Sequence, residues 1–296
     1  MATIVHKLKE LGCQAINDIY LDNTAFQLRA AADGAGWSEN PYDAENSALA
    51  VNFNTVNIVK DATGRVFSAE DQTPSLGLMV ELSKNLAPGS HRINISQEER
   101  GGTEIISRYV GELFRAFQRK EAIAGEGAIA GKKTPEQLVP FYIHRSSKTL
   151  EDIIGPLMLY SNNFIANQLF LVLGATRFGY PATWGKARQV MADFLQEKYR
   201  LSESDIRIME GSGLSRKNRV SPRVMILLLD SFKPYSRHLP QKDGKLLKSG
   251  TLHGVYCYAG YFREEGNMDS FVLLLNQEKN NRESILAVLE SVYQSY

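Results

Sequence analysis

Residues Lys245–Phe262 read KLLKSGTLHGVYCYAGYF. At the head of an apolar run stand Lys248-Ser249-Gly250-Thr251: a cation, a hydroxyl, a glycine and a second hydroxyl. Such a strand end suits an anionic ligand. The lysine supplies charge, the hydroxyl donates a hydrogen bond, and glycine lets a backbone approach closely. Taken alone, the motif is also what a solvated strand-end lysine looks like. Its meaning depends on what the rest of the chain brings beside it. The run Gly254–Phe262 predicts a continuation of the strand. Arg263–Asp269 then reads as a turn, Ser270–Asn276 as a second strand, and Asn280–Tyr296 as an amphipathic helix carried by Ile285, Leu286, Val288, Leu289 and Val292.

Working backward from this hairpin, Ser221-Pro222 opens a helix, with serine at the cap and proline in the first turn. Glu210–Ser215 (EGSGLS) is a glycine-punctuated loop after a short strand at Asp205–Met209. Pro181–Tyr199 is amphipathic through Trp184, Ala187, Val190, Met191, Phe194 and Leu195. Thr149-Leu150-Glu151-Asp152 has the form of a capping box for a helix whose stripe is Ile153, Ile154, Leu157 and Met158. Pro156 should kink or shorten that helix. Ser161-Asn162-Asn163 interrupts the pattern before Phe164–Gly174 resumes it, so the triplet reads as a junction in which an asparagine caps the second helix.

The first third is less concentrated. Residues 3–11 read as a helix, and Ala15–Leu21, Ala48–Val59, His91–Ser96 and Val139–His144 as strands. Asp22–Asn46 reads as a long loop, Asp61–Arg65 as a turn, Ser107–Ile123 as a helix and Gly125–Lys133 as a turn region. The order over the last half is helices, an antiparallel hairpin and a terminal helix, which predicts an α+β arrangement.

Composition narrows the function. A net charge of +1 leaves no electrostatic footprint for nucleic acid or an anionic membrane surface. Apolar runs such as Phe170–Val172 and Ile226–Leu229 are far too short to span a bilayer. The first thirty residues hold Lys7, Lys9 and Glu10 and no apolar signal-peptide core. The two cysteines, Cys13 and Cys257, read as thiols rather than as a disulfide, and the five histidines lack metal-ligand spacing, so no metal and no cofactor is expected.

Three features line up in order: Ser161-x-Asn163, the loop Gly211–Ser215, and Lys248–Thr251. Ser-x-Asn alone has little value, since Ser38-Glu39-Asn40 matches it too. In penicillin-binding proteins and serine β-lactamases such a motif joins S-x-x-K and a K-T-G-type strand. The segments YSNNFIANQLF, EGSGLSRKNRVSP and LKSGTLHGVYCYAGYF resemble D-alanyl-D-alanine carboxypeptidases/endopeptidases of the class C, low-molecular-mass penicillin-binding type. The resemblance extends to DIYLDNTAF and SALAVNFNTVNI, and the GSGLS loop favours this class over β-lactamases.

The resemblance implies a serine transpeptidase/β-lactamase-like fold, an antiparallel sheet flanked by helices, with a β-rich inserted domain. Residues 1–106 would belong to the insert and 107–296 to the C-terminal part of the transpeptidase-like domain. Ser161 then resembles the hydroxyl that relays a proton to the leaving group, and Asn163 the amide that holds the substrate backbone. Lys248 resembles the lysine of the third motif. Ser249 would bind the terminal carboxylate, with Gly250 beside it, and the Thr251 N–H would be an oxyanion donor. The implied partners are peptidoglycan stem peptides ending in D-Ala-D-Ala and, for a complete enzyme, β-lactams. The implied location is the periplasm or another extracytoplasmic space.

One departure is serious. No serine stands three residues before any lysine, so no nucleophile is found. The resemblance therefore implies a chain that starts inside the insert and lacks the serine, its lysine partner, one oxyanion donor and a core helix. An exposed apolar face is the expected consequence. Glu210 stands where this family usually has Asp, and Ser249 where Thr is common. Ser212 and Ser215 read as turn chemistry, and Tyr256 and Tyr258 as packing residues. Two functions follow: a serine D-Ala-D-Ala peptidase whose chain alone is inactive, or a non-catalytic relative that binds cell-wall peptide or a partner.

Overall fold

The computed structural model describes residues 1–135, 137–264 and 267–295. The first half of the chain forms α1 (Ala2–Glu10), β1 (Ile19–Leu21), β2 (Thr55–Lys60), β3 (Val66–Ser68), α2 (Gly77–Leu82), β4 (Gly89–Asn94), α3 (Gly102–Lys120) and β5 (Ile129–Gly131). The second forms α4 (Leu150–Tyr160), α5 (Asn163–Phe178), α6 (Trp184–Tyr199), β6 (Ile206–Arg207), β7 (Arg219–Val220) and α7 (Pro222–Phe232). It ends with β8 (Gln241–Lys242), β9 (Lys245–Leu252), β10 (Val255–Glu264), β11 (Asn267–Asn276) and α8 (Arg282–Tyr293). Two compact units result: Met1–Ser146 with Asn167–Ala187, and Ser147–Ala166 with Arg188–Tyr296.

In the first unit, β3, β2 and β4 form an antiparallel sheet in that order. Val56, Ile58 and Ile93 face Leu78 and Met79 of α2 and Ile106, Tyr109, Val110 and Leu113 of α3. The α3 residues recur at helical spacing, so one stripe of the helix closes the core. Gly111 lets α3 lie directly on β5: a Cβ there would stand 2.2 Å from Ile129 Cγ2. β5, which lies in the stretch expected to be only a turn region, pairs in parallel with β1.

Several expectations change here. The strand expected at Ala48–Val59 begins only at Thr55, because Asn52, Phe53 and Asn54 all take positive φ (49°, 58° and 52°). Their side chains explain the turn. Asn52 Nδ2 donates to Glu70, Thr73 and Tyr109, and buried Asn54 donates to the Glu45 carbonyl and Ser47 Oγ. Ala15–Leu21 shrinks to β1 plus a single bridge between Ala15 and Ala124. Helix α2 carried no signal that was used. Val139–His144 forms no strand: Val139, Phe141 and Ile143 are 84%, 75% and 64% exposed, and no strand pairs with the segment among the described residues. Alternation without a partner edge does not make a strand.

In the second unit the sheet order is β11-β10-β9-β8, all antiparallel. The stretch read as one strand from 245 to 262 is itself a hairpin. His253-Gly254 turns it, with Gly254 at φ 72°. Leu247, Tyr258, Phe262, Phe271 and Leu273 cover one face and pack against Leu286 of α8. Leu246, Ala259, Tyr261 and Val272 cover the other, with Leu229 of α7. Tyr261 anchors α7 by donating its hydroxyl to the Leu229 carbonyl at 2.6 Å. The Thr149–Asp152 capping box is present, and α4 runs through Pro156 to Tyr160 rather than stopping short. Ser221 Oγ caps α7 by accepting from the Val224 N–H at 3.2 Å. Cys13 and Cys257 are free thiols.

Candidate active site

The Ser161–Asn163 triplet is the hinge between α4 and α5. Asn162 caps α5, its Oδ1 accepting from the Ile165 N–H at 2.9 Å. Ser161 closes α4 in the left-handed conformation, φ 51° and ψ 49°. A non-glycine residue holds that conformation against a steric penalty, which is common where a side chain must be aimed. The aim here is Lys248, whose Nζ donates to Ser161 Oγ. Lys248 Nζ also reaches the Ser249 carbonyl at 3.3 Å. Burial holds the Lys248 ammonium below the ordinary lysine pKa, and no carboxylate pairs with it among the described residues. Asn163 opens α5 and makes no side-chain hydrogen bond among the described residues.

Strand β9 presents its residues to two faces. Lys248 and Gly250 pair with Ala259 and Cys257, while Ser249 and Thr251 pair with Tyr258 and Tyr256. Partners in an antiparallel register share a face, so Lys248 and the two hydroxyls lie on opposite sides of the sheet. β8 covers β9 only at Lys245 and Leu246. Past that point this edge of β9 has no strand partner among the described residues. The two-residue turn after Leu252 fixes the ladder phase, so the peptide groups of Ser249 and Thr251 turn outward to the open edge.

On the Lys248 face a cavity of about 720 Å3 is walled by Met158, Ser215, Leu229, Cys257 and Leu274 among others. Burial pushes the Cys257 thiol up, which makes it a poor nucleophile. The GSGLS loop beside the cavity is built on buried Glu210. Its carboxylate accepts from the N–H groups of Ser212 (2.7 Å), Gly213 (2.9 Å) and Ser215 (3.2 Å), from Ser212 Oγ, and from Asn218 Nδ2 (2.8 Å). Ser212 therefore spends its hydroxyl on a carboxylate. The second Ser-x-Asn, at Ser38, lies in a loop where Ser38 Oγ donates to Asp43 at 2.6 Å.

A family model for D-Ala-D-Ala carboxypeptidase 3 (S13) matches residues 102–242. The D-alanyl-D-alanine carboxypeptidase DacB of Haemophilus influenzae is 24% identical over an alignment 335 residues long, gaps included, covering 93% of this chain and 68% of that protein. Over residues 102–242 the chain is similar to the S13 carboxypeptidases. The solved structure of penicillin binding protein 4 (dacB) from H. influenzae is similar in fold, with a TM-score of 0.73 and 20% identity, over 95% of this chain and 73% of that one. The same protein complexed with a β-lactam gives 0.64 and 18%, over 95% and 72%. The α+β class, with an antiparallel sheet flanked by helices, agrees with this structural match.

Two residues near the Lys248 strand escaped the sequence reading. Arg282 Nη1 donates to the Gly250 carbonyl (3.1 Å) and Thr251 Oγ1 (2.7 Å), and Arg216 Nη2 donates to the His253 carbonyl (2.8 Å). The signal was present but generic: each is an arginine just after a loop asparagine or serine. Tyr258 is buried as expected for a packing residue, and its hydroxyl donates to Glu283.

Proposed function

We propose that this chain forms the substrate-facing wall of a serine-type D-Ala-D-Ala peptidase site acting in peptidoglycan metabolism outside the cytoplasm. The observation that carries the reading is the Lys248–Ser161 hydrogen bond, which joins the Ser-x-Asn hinge to the Lys-Ser-Gly-Thr strand. In this reading Ser161 passes a proton to the departing D-alanine amine and Lys248 resupplies it. A lysine whose burial favours the neutral form is suited to that transfer. Asn163 holds the peptide backbone. The open edge of β9 pairs with the substrate, Ser249 and Thr251 meet its carboxylate beside Gly250, and the outward Thr251 N–H donates to the oxyanion. One oxyanion donor is typically worth about 10²–10³ in rate.

The reading assigns residues 1–106 to a β-rich insert and 107–296 to the transpeptidase-like domain. It assigns no nucleophile within the chain, because S-x-x-K is absent from the sequence. The chain alone then binds the peptide without forming an acyl-enzyme. Intact mass after incubation with penicillin tests this: an unchanged mass is expected, and a stoichiometric gain would point to a serine outside these motifs. A second reading, a non-catalytic binder of cell-wall peptide, draws on the same open strand edge. Titration with a D-Ala-D-Ala peptide, repeated with Lys248→Ala, tests both readings, and no binding by the wild type would sink them together.

A further inference from the structure

The β3-β2-β4 sheet of the first unit carries, at one end, a group of aromatic residues that the peptide site does not use. Thr55 pairs with Asn94 at that end, so the turn before β2 and the loop after β4 leave the sheet side by side. The loop around Trp37 is tied to the same place. Buried Asn94 donates from Nδ2 to the Ser38 carbonyl (3.2 Å) and from its N–H to Glu39 (2.6 Å). Arg100 Nη1 donates to Glu39 (2.6 Å), and Gln97 Nε2 donates to the Trp37 carbonyl (2.9 Å). Asp43 closes the loop on itself by accepting from the Gly36 N–H (2.6 Å), the Ser38 N–H (3.2 Å) and Ser38 Oγ (2.6 Å). Gly36, Trp37, Ser38 and Glu39 are thus braced in succession. Three aromatic residues of these loops are exposed: Trp37, Tyr42 and Phe53.

Trp37 is the extreme case. It is 80% exposed, and its indole N–H has no partner among the described residues. The other tryptophan is spent on packing: Trp184 lies against Phe170, ring centroids 6.4 Å apart, and donates Nε1 to the Ala30 carbonyl at 3.0 Å. Bracing a loop costs chain entropy, and an indole left in water returns none of it. A ring held ready in this way loses little further freedom when a ligand stacks on it. Trp37 is followed by Ser38, Glu39 and Asn40, not by the contiguous apolar surface of a protein-docking patch. A net charge of +1 supplies no field for nucleic acid. Aromatic faces among hydroxyl, amide and carboxylate groups match a pyranose. The C–H bonds on one face of the sugar lie on the negative face of the indole, and the hydroxyls and amides at its rim meet polar side chains.

We infer that Trp37, with Tyr42 and Phe53 at the same end of the sheet, forms a stacking platform for an N-acetylated sugar of a glycan strand. The platform belongs to the other compact unit from Lys248. Its sugar is named on the peptidoglycan reading above, and the inference rests on that reading to this extent. Holding the glycan raises the local concentration of the stem peptides attached to it.

The test titrates the full chain with a β-1,4-linked N-acetylglucosamine tetramer, read by calorimetry and by tryptophan emission. Wild type should bind it with a blue shift, because the sugar displaces water from the exposed indole. Trp37→Ala should weaken binding about 10-fold or more, as for truncation of an aromatic anchor, and lose the shift. Trp37→Phe keeps a ring and should recover part of the affinity. Binding of a D-Ala-D-Ala peptide should be the same in all three proteins. Tetramer binding without peptide binding would sink the peptide site and leave the platform standing. Peptide binding without tetramer binding would overturn the platform alone, and binding of neither would overturn both. Equal tetramer affinity in wild type and Trp37→Ala would also overturn the platform, as would a parallel loss of peptide binding in Trp37→Ala, which would assign Trp37 to the fold.

Discussion

Lys248 Nζ donates to Ser161 Oγ across a separation of 87 residues. The acceptor is a neutral hydroxyl, so the bond does not replace the water that burial removes from the ammonium. This is why the lysine is pushed toward its neutral form.

A pH dependence follows. With the folded pKa below the ordinary 10.5, the unfolded chain holds more protons than the folded one between the two values. Stability contributed at this site therefore rises with pH through that window. Lys248→Met should be more stable than wild type at pH 7, and the gap should narrow as pH climbs toward 10.5. Denaturant unfolding at a series of pH values measures it, and parallel curves for the two proteins would contradict it.

Ser161 sets aim against backbone comfort. Its left-handed φ of 51° costs nothing for glycine and about 1–2 kcal/mol for a residue with a Cβ. Ser161→Gly should thus be about 1 kcal/mol more stable than Ser161→Ala, although both lose the hydroxyl that meets Lys248. Peptide binding should fall in both. Equal stability of the two variants would show that the hinge is not strained.

The helices and the order of the motifs were legible in the sequence because they rest on local signals. The Thr149–Asp152 box, the Ser221-Pro222 start and the apolar stripe of α3 all lie within a few turns of chain. What escaped depended on distant partners. Nothing near Val139–His144 says that its alternation finds no edge to pair with. Nothing near Gly254 separates a bent strand from a hairpin until the Val255–Leu252 register is formed. At the site, Ser161, Lys248 and the strand motif could be named from spacing, whereas Arg282 reaches Thr251 only because α8 folds back across the sheet.

Glu210, which stands where the resembled family usually has Asp, organises the whole GSGLS loop. Removing its carboxylate leaves the N–H groups of Ser212, Gly213 and Ser215 and the Asn218 amide without their acceptor. An orphaned buried donor typically costs about 1–3 kcal/mol, so Glu210→Ala should lose about 3 kcal/mol or more. Glu210→Gln keeps one acceptor oxygen and should lose less. Thermal unfolding ranks the three proteins, and a wild-type midpoint for Glu210→Ala would refute the role.

Gly260 tests the sheet that carries the site. It pairs with Leu247 in β9, and a Cβ there would stand 2.0 Å from the Leu246 carbonyl oxygen and 2.7 Å from Leu247 Cα. Both are backbone atoms, so no side-chain rotation relieves the clash. Gly260→Ala must push β9 away from β10 one residue before Lys248. The expected result is a loss of about 1–3 kcal/mol, as for other overpacked sites. Hydrogen exchange should accelerate along β9 and β10 more than in α3, whose packing lies in the other unit. Gly254→Ala, at the turn with φ 72° and no backbone atom closer than 3.9 Å, should cost stability through strain alone and leave β9 protection near Lys248 largely intact. Equal exchange changes in the two variants would mean that the Gly260 contact does not set the position of the Lys248 strand.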